Sequence, residues 1–128
     1  MKSKIKYFDV GPYPAYFGFV TDEKSFDAEM KRLKLPETHF VNSGAGATTH
    51  SFEKNGEITV IVTIKEWEKH RLCEVLGLLV HESVHVWQEI LDFLGERGKA
   101  GNEIEAYHIQ NIAQCMIGVM LKKWNGKK

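Results

Sequence analysis

The sequence predicts an α+β fold, because strand patterns fill its first half and long helical patterns fill its second half. The strongest local signal is Asn55-Gly56, a tight-turn dipeptide between two strand-like runs. Two helical periodicities follow this turn, at about residues 67–94 and 103–124. Because 128 residues with 43% hydrophobic content suit one core, we expect a single domain that spans 1–128.

Before the hairpin, the chain predicts one strand and one helix. Residues 16–20 are a short aromatic and apolar run, which is typical of a strand. Thr21-Asp22-Glu23 then resembles a helix start, and Pro36 ends the helix. The apolar face of this helix consists of Phe26, Met30 and Leu33.

The hairpin strands are predicted at 48–53 and 57–64. In the second strand, one face is entirely apolar and consists of Ile58, Val60, Val62 and Ile64. The opposite face is mixed and consists of Thr59, Ile61 and Thr63. We therefore expect the first face to enter the core. After the strand a long helix continues to Gly95, a residue that commonly follows a helix end.

Charge and cysteine content exclude several classes of protein. Lys plus Arg and Asp plus Glu both number 17, and no basic cluster precedes the terminal lysines, so we expect no nucleic-acid partner. No apolar run has the length of a signal peptide or a membrane span, so we expect no membrane partner. With only Cys73 and Cys115, a disulfide scaffold is not indicated, and we expect a cytoplasmic protein.

The motif that indicates chemistry is His81-Glu82-Ser83-Val84-His85, which has the form HExxH. On a helix, residues four apart lie on one face, so both imidazoles can reach one ion. Neutral imidazole nitrogens suit Zn²⁺, and Glu82 is placed to accept a proton from water beside the metal. Apolar neighbours surround the motif, so we expect it to be largely buried, where a metal would offset the cost of burying polar groups.

The sequence indicates the third metal ligand less specifically than it indicates the two histidines. A third histidine at position 91 with glycine at 88 would indicate the metzincin class, but these positions are Leu91 and Gln88. The sequence instead resembles the gluzincin metallopeptidases, in which HExxH is followed by a glutamate ligand on the next helix. Glu105 follows His85 by twenty positions, as in thermolysin-like members.

Two glutamates compete for this role. Glu105 falls on the shoulder of the apolar face of its helix, whereas Glu103 points towards solvent, so we expect Glu105 to be the ligand. Related zinc peptidases carry a Glu-x-x-Ala pattern, however, and this pattern favours Glu103, three positions before Ala106. Asn102 with Glu105 also matches a capping box, in which the glutamate only caps its own helix.

The resemblance implies a minimal zincin-like domain, in which a small antiparallel sheet with the hairpin packs on the long HExxH helix and a C-terminal helix supplies the last ligand. It implies a zinc-dependent metallopeptidase with Glu82 as general base. The strand at 58–64 resembles the zincin edge strand, which a peptide or protein substrate extends by strand addition. Tyr107, His108 and His50 are candidates by type for stabilising an oxyanion.

Two features leave alternatives open. Thermolysin-like enzymes place an Asp four residues after the ligand glutamate to support a histidine, but this chain has Ile109 there. The chain is also short for an enzyme with a walled cleft, and the segments around HExxH and 105–114 resemble small phage and prophage proteins. The alternative function is a catalytically idle zincin fold that serves as a metal-stabilised binding or regulatory module for a host or phage partner.

Overall fold

The computed structural model describes residues 5–96 and 103–126, and it confirms the α+β class. The elements follow one another as β1 (Tyr7–Asp9), β2 (Ala15–Val20), α1 (Glu23–Arg32), β3 (Ala47–Lys54), β4 (Glu57–Ile64), α2 (Leu72–Leu94) and α3 (Glu103–Gly126). The hairpin turns at Asn55-Gly56, where both residues have positive φ as a two-residue turn requires. Helix α2 starts later than the sequence predicts, because Glu66 is left-handed and a 3₁₀ turn at Trp67–Lys69 precedes it.

The four strands form one mixed sheet in the order β1-β2-β4-β3. Both pairs that join neighbours in sequence are antiparallel, but β2 and β4 are parallel. The prediction of an antiparallel sheet is therefore wrong for the pairing of β2 with β4. Between β2 and β4 the chain passes through α1 and the edge strand β3, and a crossover of this length permits parallel pairing.

Strand β4 lies inside the sheet, so the prediction that 58–64 is the edge strand is wrong. β2 pairs along one side of it and β3 along the other, which leaves no free backbone edge for a peptide. Both faces are also covered, since Val60 and Ile61 point to opposite sides and are 0% exposed. An apolar strand of this kind belongs in the interior of a sheet, and the edge position falls to β3.

Two helical layers enclose the sheet. One face packs against α2 and α3 through the alternate residues Ile58, Val60, Val62 and Ile64, as the sequence predicts. The other face packs against α1 through Phe26 and Met30, together with the segment that follows this helix. α2 lies over β3 and β4, and α3 lies beside it over β2. Within the ranges that the structure describes, none of the helices has the length and apolar character to cross a bilayer.

His50 lies on the face of β3 that packs against α1, where it is buried. Its Nε2 is 3.1 Å from the carbonyl oxygen of Phe40 and 3.2 Å from Thr63 Oγ1, and its ring packs on Phe26 at a centroid distance of 4.9 Å. Burial lowers the pKa of His50 below its ordinary value. The sheet thus separates His50 from the helix that carries the HExxH motif.

The pKa shift of His50 predicts a loss of stability in acid. Because the folded pKa lies below that of the unfolded chain, the unfolded chain binds the proton more readily as the pH falls below about 6.5. We expect the free energy of unfolding to fall between about pH 7.5 and pH 5, and to fall less in His50→Gln. Urea unfolding at both pH values measures this difference, with the exposed His39→Gln as control. Equal acid sensitivity in the His50→Gln and His39→Gln variants would contradict the assignment.

Candidate metal centre on helix α2

His81 and His85 lie on successive turns of α2 and converge at their Nε2 atoms, which are 3.2 Å apart. Their ring centroids are 4.8 Å apart and the planes are steeply inclined, so the rings meet at their edges. Two imidazole nitrogens bound to one tetrahedral Zn²⁺ lie about 3.3 Å apart, given zinc–nitrogen distances of about 2.0–2.1 Å. The helix therefore presents this pair in a geometry that fits one ion.

His85 is held from behind by its own helix. Its Nδ1–H donates to the side-chain oxygen Oε1 of Gln88 at 3.1 Å. This bond places the ring proton on Nδ1 and leaves the Nε2 lone pair directed at His81, which is the tautomer a metal ligand requires. Gln88 thus supports His85, for which the resemblance to thermolysin-like enzymes gave no residue. Its position three residues after His85 was the available signal, because residues at that spacing are neighbours on a helix.

Glu82 faces the sheet, and its side chain is only 7% exposed. Thr49 on β3 donates a hydrogen bond from Oγ1 to Glu82 Oε1 at 2.7 Å. The second carboxylate oxygen, Oε2, lies 4.0 Å from His81 Nε2. A carboxylate in this position is able to exchange a proton with a water molecule at the histidine pair.

The pair opens into a recess between α2 and the edge strand β3. Its walls are formed by Asn42, Ala47, Thr48, Thr49, His81, Glu82, His85 and Glu89. A second hydrogen bond, from Ser51 Oγ to Glu89 Oε2 at 3.0 Å, ties the same strand to the helix further along. No other strand of the described chain pairs with the outer edge of β3, and the first residues of this strand form part of the recess wall.

The expectation that the motif is buried is wrong for the histidines. The side chain of His81 is 67% exposed, and His85 is exposed as well. The physical reason is the phase of α2: Val86 and Ile90 face the sheet, and the histidines lie on the opposite side of the helix. Burial therefore does not indicate a metal here, and the feature that fits a metal is the spacing of the two Nε2 atoms.

Glu105 is not beside the histidines. Its Oε2 accepts a hydrogen bond from Trp87 Nε1 at 3.3 Å, on the side of α2 that packs against α3. Trp87 is two positions after His85, which places it about 200° around the helix. Glu103 is exposed on α3 and is not at the pair either. Among the described residues, no three His, Cys, Asp or Glu side chains are grouped so as to hold one ion. Asn102, the expected capping partner of Glu105, lies outside the described residues.

The three candidates for an oxyanion stabiliser all lie away from the recess walls. His50 packs on the far side of the sheet. His108 stacks on Trp87 with ring centroids 4.4 Å apart, and Tyr107 is largely exposed on α3. The contacts of Trp87 with His108 and Glu105 therefore attach the start of α3 to α2.

The bond between Trp87 and Glu105 predicts a stability effect. Removing the carboxylate in Glu105→Ala leaves the indole N–H of a buried tryptophan without its acceptor, and we expect a loss of about 1–2 kcal/mol in the free energy of unfolding. Glu105→Gln keeps a side-chain oxygen that is able to accept this bond and is the matched control. Urea unfolding of both variants measures the difference. Equal stability of the alanine and glutamine variants would show that the bond contributes nothing.

Comparison with known proteins identifies no relative. No family model matches the chain, and no curated protein or solved structure matches it. The resemblance to gluzincins therefore depends on the HExxH residues and the glutamates of α3. The function has to follow from the geometry at His81, Glu82 and His85.

Proposed function

We propose that this protein is a zinc-dependent metallopeptidase that hydrolyses peptide bonds with Glu82 as general base. The observation that supports it is the pair of Nε2 atoms 3.2 Å apart, with a hydrogen-bonded carboxylate beside them in an open recess. A site that only stabilises the fold needs ligands but no base. The position of Glu82 next to exposed imidazoles therefore favours hydrolysis over a purely structural role.

His81 and His85 would hold the metal through Nε2. Bound zinc would polarise the substrate carbonyl and make water more acidic. Gln88 keeps His85 in the tautomer that offers a lone pair. The exposed position of the pair leaves room for substrate and water on its open side.

Glu82 would move the proton in both halves of the reaction. Its carboxylate accepts a proton from the attacking water as the new carbon–oxygen bond forms, and it returns that proton to the amine nitrogen as the carbon–nitrogen bond breaks. Oε2 is the oxygen nearer to His81, whereas Oε1 is occupied by the Thr49 hydroxyl. We therefore assign the proton transfer to Oε2.

The substrate would be an extended peptide or protein segment bound along β3. The outer edge of β3 has no strand partner in the described chain and lies beside the histidine pair, whereas β4 has no free edge. An added strand would pair with the backbone of β3, which gives affinity without strong sequence preference. This replaces 58–64 as the strand that binds substrate.

We propose His81 and His85 as the metal ligands of this site, without a third ligand from the glutamates of α3. The Glu105 carboxylate is hydrogen-bonded to Trp87 where α3 meets α2, and Glu103 projects about 200° away from it around α3. Among the described residues, neither carboxylate is grouped with the histidine pair.

We also propose that the protein is cytoplasmic. Cys73 and Cys115 are both free thiols in the structure, and Cys73 is exposed. Reduced cysteines of this kind are typical of a reducing compartment. The even charge of the chain gives no reason to propose a nucleic-acid partner.

Glu82→Gln tests the peptidase proposal directly. The amide keeps the size of the side chain but is unable to accept the proton, so we expect cleavage of a peptide library to fall at least about 100-fold while zinc content stays at the wild-type level. In contrast, His81→Ala should lose zinc as well as cleavage. Mass spectrometry of the peptides and metal analysis of the purified proteins provide the two measurements. Wild-type protein that holds zinc and cleaves nothing would reject the peptidase.

The ligand set is tested by zinc titration against a competing chelator. We expect Glu103→Gln to leave zinc affinity within about threefold of wild type, because among the described residues its carboxylate is not grouped with the histidine pair. Glu105→Gln should leave zinc affinity within about threefold of wild type, since its carboxylate binds Trp87. A loss of about 10-fold or more in either variant would instead assign that glutamate as a third ligand.

A second candidate is a catalytically idle zincin fold that acts as a metal-stabilised binding module. The observation that favours it is that the described residues bring two ligands together rather than three. The two functions differ in their response to Glu82→Gln. A binding module would retain the same protein partner in both forms and cleave it in neither, whereas a peptidase would cleave it only in the wild-type form.

A further inference from the structure

The edge strand β3 contacts α2 through two hydroxyl-to-carboxylate hydrogen bonds. Thr49 donates to Glu82 at 2.7 Å, and Ser51 donates to Glu89 at 3.0 Å. Thr49 and Ser51 are two residues apart and therefore lie on the same face of the strand. Glu82 and Glu89 are seven residues apart and lie on the same side of the helix. The two bonds are chemically alike, but only one of them involves the proposed base.

The surroundings of the two carboxylates differ. The Glu82 side chain is 7% exposed, and among the described residues Thr49 is the one hydrogen-bond donor that it has. Ser51 is exposed and Glu89 is half-buried, so water is able to replace their bond. Losing the Thr49 hydroxyl would thus change the environment of the Glu82 carboxylate more than losing the Ser51 hydroxyl would change that of Glu89.

The Thr49 bond also makes the two oxygens of Glu82 unequal. Oε1 accepts the hydrogen bond from the hydroxyl, and Oε2 is left on the side of His81, 4.0 Å from its Nε2. Without that bond, the terminal torsion of a glutamate is broad and weakly restricted. A threonine holds its hydroxyl in few rotamers because its Cβ is branched, so the direction of the bond is set by the strand.

We propose that Thr49 is a positioning residue for Glu82, which it orients so that Oε2 faces the histidine pair. This inference rests on the proposed peptidase function. Thr49 acts through Glu82 and does not itself take part in proton transfer. It also sits on the strand along which we place the substrate, so the element that binds the peptide is the one that orients the base.

The test uses three variants of the full chain. Thr49→Val removes the hydroxyl and keeps the branched shape, Thr49→Ser keeps a hydroxyl, and Ser51→Ala removes the other hydroxyl bond between the same two elements. We expect Thr49→Val to lower kcat about 10- to 100-fold, the range for a lost hydrogen bond to a charged group, with KM and zinc affinity unchanged. Thr49→Ser and Ser51→Ala should keep kcat within about threefold of wild type.

Each alternative result has a defined meaning. If Thr49→Val keeps wild-type kcat, or if Ser51→Ala loses as much as Thr49→Val, the bond merely ties strand to helix and the inference is overturned. Loss of zinc or a lower unfolding midpoint in Thr49→Val, without recovery in Thr49→Ser, would overturn it in favour of a structural role. A wild-type protein that binds zinc and cleaves no peptide would reject the function itself, and that result is distinct because it appears before any variant is compared.

Discussion

The candidate site depends on one constraint, which is that β4 is covered by helices on both faces and paired along both edges. Ile61 faces α1 and Val60 faces α2, so the strand needs a helical layer on each side. Because β4 takes an inner position, the strand before it in the hairpin becomes the edge. β3 then lies directly beside α2, and its hydroxyl side chains reach the carboxylates of that helix. A different strand order would leave Glu82 without Thr49.

The phase of α2 divides the HExxH residues between solvent and protein. The helix turns about 100° per residue, so Glu82 points about 100° away from His81, whereas His85 points nearly the same way as His81. With Val86 and Ile90 against the sheet, the two histidines face solvent and Glu82 falls at the boundary with β3. The motif therefore gives an open pair of ligands and a sheltered carboxylate from one helix, without any loop to position them.

Features that depend on neighbouring residues could be predicted from the sequence, and those that depend on distant contacts could not. Asn55-Gly56 determines the hairpin turn locally, and Gly95 ends α2 in the left-handed conformation, so both were predicted. The parallel pairing of β2 with β4 joins segments about 40 residues apart, and no local pattern encodes it. The same applies to the roles of Thr49 and Trp87, whose partners are 33 and 18 residues away.

The start of α3 illustrates how one short segment carries two kinds of carboxylate. Glu103 and Glu105 are two positions apart, so they project about 200° apart around the helix and are unable to serve the same site. The buried indole of Trp87 needs a hydrogen-bond acceptor, and Glu105 supplies it while His108 stacks on the same ring. That contact attaches α3 to the helix that carries the histidines. The helical phase that favoured Glu105 as a ligand is therefore better explained by packing, because a residue on the shoulder of an apolar face meets the neighbouring helix first.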